Sequence, residues 1–120
     1  QNKKIILNSS GKQIRNFVDI RSIAKTSLDF VNNFPTGVNI CNMGSKYNSS
    51  ILEVAKLVAL LAEENFQIKS DINIESKFPL KENNFRYFSN FIDNFDSYET
   101  TKNKFKNVIL RLLGIYQSNV

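Results

Sequence analysis

Arg15 stands in the middle of Gly11-Lys12-Gln13-Ile14-Arg15-Asn16-Phe17-Val18-Asp19-Ile20, a stretch that opens like a turn and runs on like a strand. A fixed positive charge two residues before Phe17 and Val18, in a half-apolar strand, ordinarily serves a carboxylate or a phosphate, the anions whose geometry a guanidinium fork matches. The bland alternative is an exposed arginine paired with Asp19 or with water. What is missing narrows the chemistry further. The chain has no histidine, which removes the commonest general base and excludes a Ser-His or Cys-His nucleophile pair within it. Its single cysteine, Cys41, lies in the apolar stretch Val38 to Cys41. It has no internal disulfide partner and no zinc site to join, and it reads as a small buried apolar residue in a reducing, cytoplasmic setting.

The elements that must position Arg15 follow from periodicity. Lys4 to Asn8 is a short apolar run that ends in the turn signal Ser9-Ser10-Gly11-Lys12, and Gln13 to Ile20 alternates apolar and polar residues. Together they read as a β-hairpin or as two strands joined by a tight loop. From Ser22 the period becomes helical through Ile23, Ala24, Leu28 and Val31, with Asp19 or Ser22 placed to cap the start and Asn33, Pro35 and Gly37 ending it. Val38 to Asn42 is a strand candidate closed by a Gly44 turn. Ser50-x-x-Glu53 is a capping box ahead of Ile51, Val54, Ala55, Val58, Leu61 and Ala62, a helix whose wide apolar face belongs against a sheet. Ile68, Ile72 and Ile74 suggest a strand, Phe85 to Phe88 a short extended piece, and a last helix runs from about Ser97 with lysines opposite its apolar face.

These 120 residues are enough for one domain with a real core, and the mixed pattern predicts an α/β protein. With 42% hydrophobic residues and no apolar run of about 18, membrane insertion is not expected, and the lysines of the last helix read as a solvated face. Net charge is +5 but dispersed; there is no recognised nucleic-acid module and no interleaving of basic and aromatic residues, so nucleic acid is not an expected partner. The chain begins at Gln1, without an initiator Met or a signal segment, and is expected to be a piece of something longer.

Two stretches carry a resemblance. Residues 11–30, GKQIRNFVDIRSIAKTSLDF, are similar to the segment of extended short-chain dehydrogenase/reductases, the NAD-dependent nucleotide-sugar epimerases and dehydratases, that runs Gly-x-x-x-Arg-Asp-Phe, then a strand, then an acidic helix start followed by Val-Ala. Residues 37–59, GVNICNMGSKYNSSILEVAKLVA, resemble that family's next signature, a strand ending Asn-x-Gly-Ser followed by a serine-capped helix. The likeness covers residues 5 to about 65 and extends loosely to FRYFSNFIDNF, which is similar to the family's segment before its last helix.

The resemblance implies the C-terminal, substrate-binding fragment of a Rossmann-type enzyme, an epimerase, dehydratase or 4-ketoreductase. It assigns Arg15 to the diphosphate of a nucleotide-diphosphate sugar, Arg86 as a second arginine on the same group, Gln13 to the base pocket and Asn42 to ligand contact at a strand end; Phe17 can line that pocket but suits the core better. NAD(P) would belong to the full-length parent only. This chain's glycines, Gly11, Gly37, Gly44 and Gly114, are too far apart for a dinucleotide cradle, so it should bind no cofactor and be inactive alone. Tyr98-x-x-x-Lys102 has the spacing of the family's catalytic pair but falls downstream of the Arg-Phe segment instead of upstream, and is better read as a helix-surface contact. Asn16, Arg21 and Ser22 replace the family's acidic residues, which also fits a non-catalytic binding or interaction domain with a drifted site. Without a covering half, the apolar faces of residues 23–34 and 51–62 are expected to drive self-association.

Overall fold

The computed structural model describes residues 2–33, 36–38, 40–75 and 96–118. In chain order these form β1 (Lys3–Leu7), β2 (Ile14–Asn16), α1 (Ile20–Asn33), β3 (Asn48–Ser50), α2 (Ile51–Phe66), β4 (Ser70–Ile74) and α3 (Tyr98–Ser118). The mixed α/β class read from the pattern therefore holds. Among the described residues no helix is long and apolar enough to cross a membrane.

Of the two readings of this region, a hairpin or two strands joined by a loop, the second holds: β1 and β2 follow one another but pair elsewhere. β1 runs parallel to β4, with Lys3 opposite Ser70 and Leu7 opposite Ile74, while β2 pairs antiparallel with β3, Ile14 opposite Ser50 and Asn16 opposite Asn48. The turn between β1 and β2 explains why. Its carbonyls do not close a hairpin ladder; Gly11 and Gln13 accept from the Leu52 and Ile51 amides at 2.8 and 3.2 Å, so the turn is bound to the start of α2. Gly11 is required there. Its φ is +71°, and a Cβ would lie 3.0 Å from both Leu52 Cβ and Leu7 Cδ1.

α2 is the centre of the packing. Its capping box is complete: the Ser50 hydroxyl accepts from the Glu53 amide at 3.1 Å and the Glu53 carboxylate accepts from the Ser50 amide at 2.8 Å. The helix ends at Gln67 in the left-handed conformation, with the Ile68 amide bonded to the Ala62 carbonyl, which turns the chain directly into β4. Ala55, Leu61 and Ala62 are buried on the side that meets β1, β4 and α3. The sheet covering expected for this helix is present.

A second cluster joins β2, the loop before β3 and α3. Phe17 lies 4.8 Å from Phe105 and 5.9 Å from Tyr47, ring centre to ring centre, and Tyr47 lies 5.3 Å from Tyr98. Phe17 is thus a packing residue, as its apolar neighbours suggested. None of the described residues of the strand expected over Val38 to Asn42 lies in a ladder, and Val38 and Ile40 are exposed. An apolar run is not sufficient for a strand without a neighbour to bond, and the neighbour that β2 offers is taken by Asn48–Ser50.

Candidate functional site

Arg15 occupies the middle of β2, opposite Ser49 of β3, so its backbone is held on both sides of the residue while its side chain is exposed. The guanidinium Nη1 donates to the neighbouring Ile14 carbonyl at 3.1 Å. Among the described residues no carboxylate lies within ion-pair distance of it. Asp19, the counterion that sequence proximity offers, faces Lys104 instead, at 3.7 Å.

Asn16 fastens this ladder to the loop before β3. Its Nδ2 donates to the Ser45 carbonyl at 2.8 Å and its Oδ1 accepts from the Ser45 amide at 2.8 Å, with a further contact to Asn48 Oδ1 at 3.1 Å. Only an amide side chain can give and take in that way. An aspartate would keep the contact to the Ser45 amide but set its charge against the Ser45 carbonyl. Ser45, itself buried, donates its hydroxyl to the Phe17 carbonyl, and the Phe17 amide donates to Tyr47.

Of the other expected ligand residues, Gln13 and Asn42 are described. Gln13 is half-buried and spends its side chain on Ser9, donating from Nε2 at 2.9 Å, which braces the turn beside Arg15. Asn42 is exposed in the segment ahead of Ser45, with no ladder to hold it. Arg86 and the FRYFSNFIDNF segment lie outside the described residues. Tyr98 and Lys102 behave as a surface pair on the first turns of α3, the Lys102 ammonium 5.6 Å from the ring centre. Cys41 is half-buried, and burial pushes its thiol up, away from reactivity.

Sequence reasoning missed a polar cluster at the start of α1. The Asp19 carboxylate caps the helix, accepting from the Arg21 amide at 3.0 Å and the Ser22 amide at 3.3 Å, and it takes the Ser22 hydroxyl proton bond as well. Lys104 of α3 donates to Asp96 and reaches Ser22 Oγ at 3.3 Å. Burial works to raise the Asp19 carboxyl, but the Ser22 hydroxyl and amide and then Lys104 outweigh it, so the group stays below the ordinary aspartate range. The hydrogen bond to Asp96, aided by the charge of Asp19, holds the Lys104 ammonium above its ordinary value against partial burial.

That electrostatic balance decides what the cluster does. A serine beside a lysine resembles an activated nucleophile, yet an ammonium pinned between carboxylates cannot take the Ser22 proton. The cluster is a staple that fixes α1 to α3. Only its Asp19-x-x-Ser22 half was visible in the sequence, because Lys104 lies 82 positions from Ser22 along the chain. Among the described residues no group of Asp, Glu and Cys side chains is arranged to hold a metal ion.

Comparison of the chain with family models, with curated proteins and with solved structures gives no match.

Proposed function

We propose that this chain is the nucleotide-sugar-binding, C-terminal part of an NAD(P)-dependent epimerase, dehydratase or 4-ketoreductase, and that Arg15 binds the diphosphate. The observation that carries the reading is the state of Arg15: an exposed guanidinium on a hydrogen-bonded ladder, without a carboxylate partner among the described residues. A guanidinium so placed is preorganised for a phosphate fork, with its backbone already ordered. The order of elements around it supports the same reading: a short strand, an Asp19-capped helix, then a serine-capped helix.

The residues present do not fit the cofactor. Gly11, the glycine after β1, is closed over by Leu7 and Leu52, and a second strand follows it where a dinucleotide turn would lead into a helix. The chain's own contribution is then positioning: it holds the diphosphate so that the sugar is presented to whatever does the chemistry. Titration with UDP, dTDP and GDP, followed by NMR or thermal shift, tests it. Saturable binding that Arg15→Ala weakens by roughly tenfold or more is expected, the scale of one charge-assisted bidentate contact. Binding that survives Arg15→Ala unchanged, or no binding by any of the three, overturns the assignment.

A further inference from the structure

The two outward helix faces of this molecule carry opposite charge. Ile20, Ala24, Leu28 and Val31 follow one another at helical spacing along α1, and Ile20, Leu28 and Val31 are 75, 65 and 78% exposed. Arg21 and Lys25, both exposed, border this stripe and outnumber the one half-buried carboxylate on the same flank, Asp29. On α2 the side turned away from the sheet presents Leu60, 51% exposed, with exposed Glu53, Glu63 and Glu64 around it and one cation, Lys56. Glu63 shares its charge with Lys69 at 3.9 Å and Glu53 is engaged at the cap, but the face remains acidic in sum.

We propose that the outward face of α1 in one copy docks on the outward face of α2 in a second copy. Like-to-like docking is disfavoured by the same charges. In an antiparallel α1 pair Lys25, near the middle of the stripe, falls close to its own symmetry mate, and an α2 pair sets glutamates against glutamates. The mixed pairing brings Arg21 and Lys25 to Glu63 and Glu64 and covers Leu28 and Leu60 together. Both faces point outward in one molecule, so they meet only between molecules. Such a contact is heterologous: each copy still offers one free face of each kind, and the association grows head to tail instead of closing as a dimer. The stripe covers about 16 Å of helix, and its area is below the roughly 800 Å² per partner of a standard interface, so the contact is weak and concentration-dependent. It is independent of Arg15 and of the nucleotide reading.

Sedimentation equilibrium over a wide concentration range tests this with two surface variants, Leu28→Asp and Leu60→Asp, whose retained fold is checked by circular dichroism. The native chain should show mass rising with concentration without a plateau at the dimer, and the rise should shrink as salt is added. Each variant alone should remain monomeric. Their mixture should form a one-to-one pair, because one supplies an intact α2 face and the other an intact α1 face. A native chain that stays monomeric at the highest concentration, a plateau at the dimer, or a mixture that stays monomeric overturns the proposal. So does recruitment of the monomer by anionic lipid vesicles in place of self-association.

Discussion

α2 and α1 are both amphipathic by sequence, and they end up in opposite situations. α2 is capped at both ends and buries Ala55, Leu61 and Ala62 against β1, β4 and α3. α1 keeps Ile20, Leu28 and Val31 in solvent, buries only Thr26 with Ile23 and Phe30 half-buried, and makes polar contacts from Asp19 and Ser22 to Lys104 and from Ser27 to Met43 at 3.5 Å. The difference teaches that an apolar stripe does not decide which side of a helix faces the core. In α1 the capping aspartate and its lysine partner lie on the inner side, with half-buried Ile23 and Phe30, and the stripe faces out.

The largest effect that separates the two helices is truncation of a leucine. Leu61→Ala in α2 should lower stability by about 2–4 kcal/mol, whereas Leu28→Ala in α1, measured at a dilution where the chain is monomeric, should stay within about 0.5 kcal/mol. Equal losses in chemical denaturation would erase the contrast. Next is Lys104→Met, which leaves Asp19 and Asp96 without their cation. Because the lysine is 42% exposed, solvent screening limits the loss to about 1 kcal/mol. Hydrogen exchange should speed up in α1 and not in α2; uniform speeding would mean that the staple is not specific to α1.

Removal of the cap on the other helix, Ser50→Ala, should cost about 1 kcal/mol and appear as fraying at the start of α2. The smallest effect is that of pH. Asp19 and Glu53 are both held below the ordinary carboxylate range, Glu53 by the Ser50 amide and then by the hydroxyls of Ser49 and Ser50. In that window the unfolded chain binds more protons, so their stabilisation is complete above the ordinary value of about 4 and is lost as pH falls through the lower folded values. Lys104 has the opposite sign: its raised folded value means that its contribution persists below about 10.4 and is lost as pH rises beyond. Asp19→Asn should remove part of the acid-side loss and Glu53→Gln another part. A melting profile in which Asp19→Asn leaves the acid limb unchanged would take Asp19 out of the comparison.

Local rules read much of this molecule directly. The Ser50-x-x-Glu53 box, the helix after it, the Asp19 start of α1 and the last helix beginning near Ser97 all lie within one or two turns of the residues that specify them. The alternating Ile72 and Ile74 that mark β4 are equally local. What failed were expectations that needed to know a neighbour. The turn at Ser9 to Lys12 is a good hairpin signal, but its carbonyls were claimed by the amides of Leu52 and Ile51. Val38 to Asn42 has a strand's composition, but none of its described residues is in a strand.

The candidate site divides in the same way. Arg15 in a strand was legible, since alternation placed it, and the cap of α1 was narrowed to Asp19 or Ser22, of which the structure uses Asp19. Gln13 was legible as a polar residue beside the turn but not as the brace for Ser9. That Arg15 has no carboxylate partner among the described residues was not legible, because Asp19 stands close enough in sequence to neutralise it. Only the arrival of Lys104 takes Asp19 elsewhere, and Asn16 shows its use only when Ser45 is brought across. By itself the sequence determined the caps, the helices and the mixed α/β class, because those depend on spacings of three or four residues and on side chains bonding their own backbone. The tertiary structure alone decided strand partners, the outward side of α1 and the counterion of Asp19, because each depends on which of several equivalent partners, tens of residues away, reaches the group first and excludes the rest.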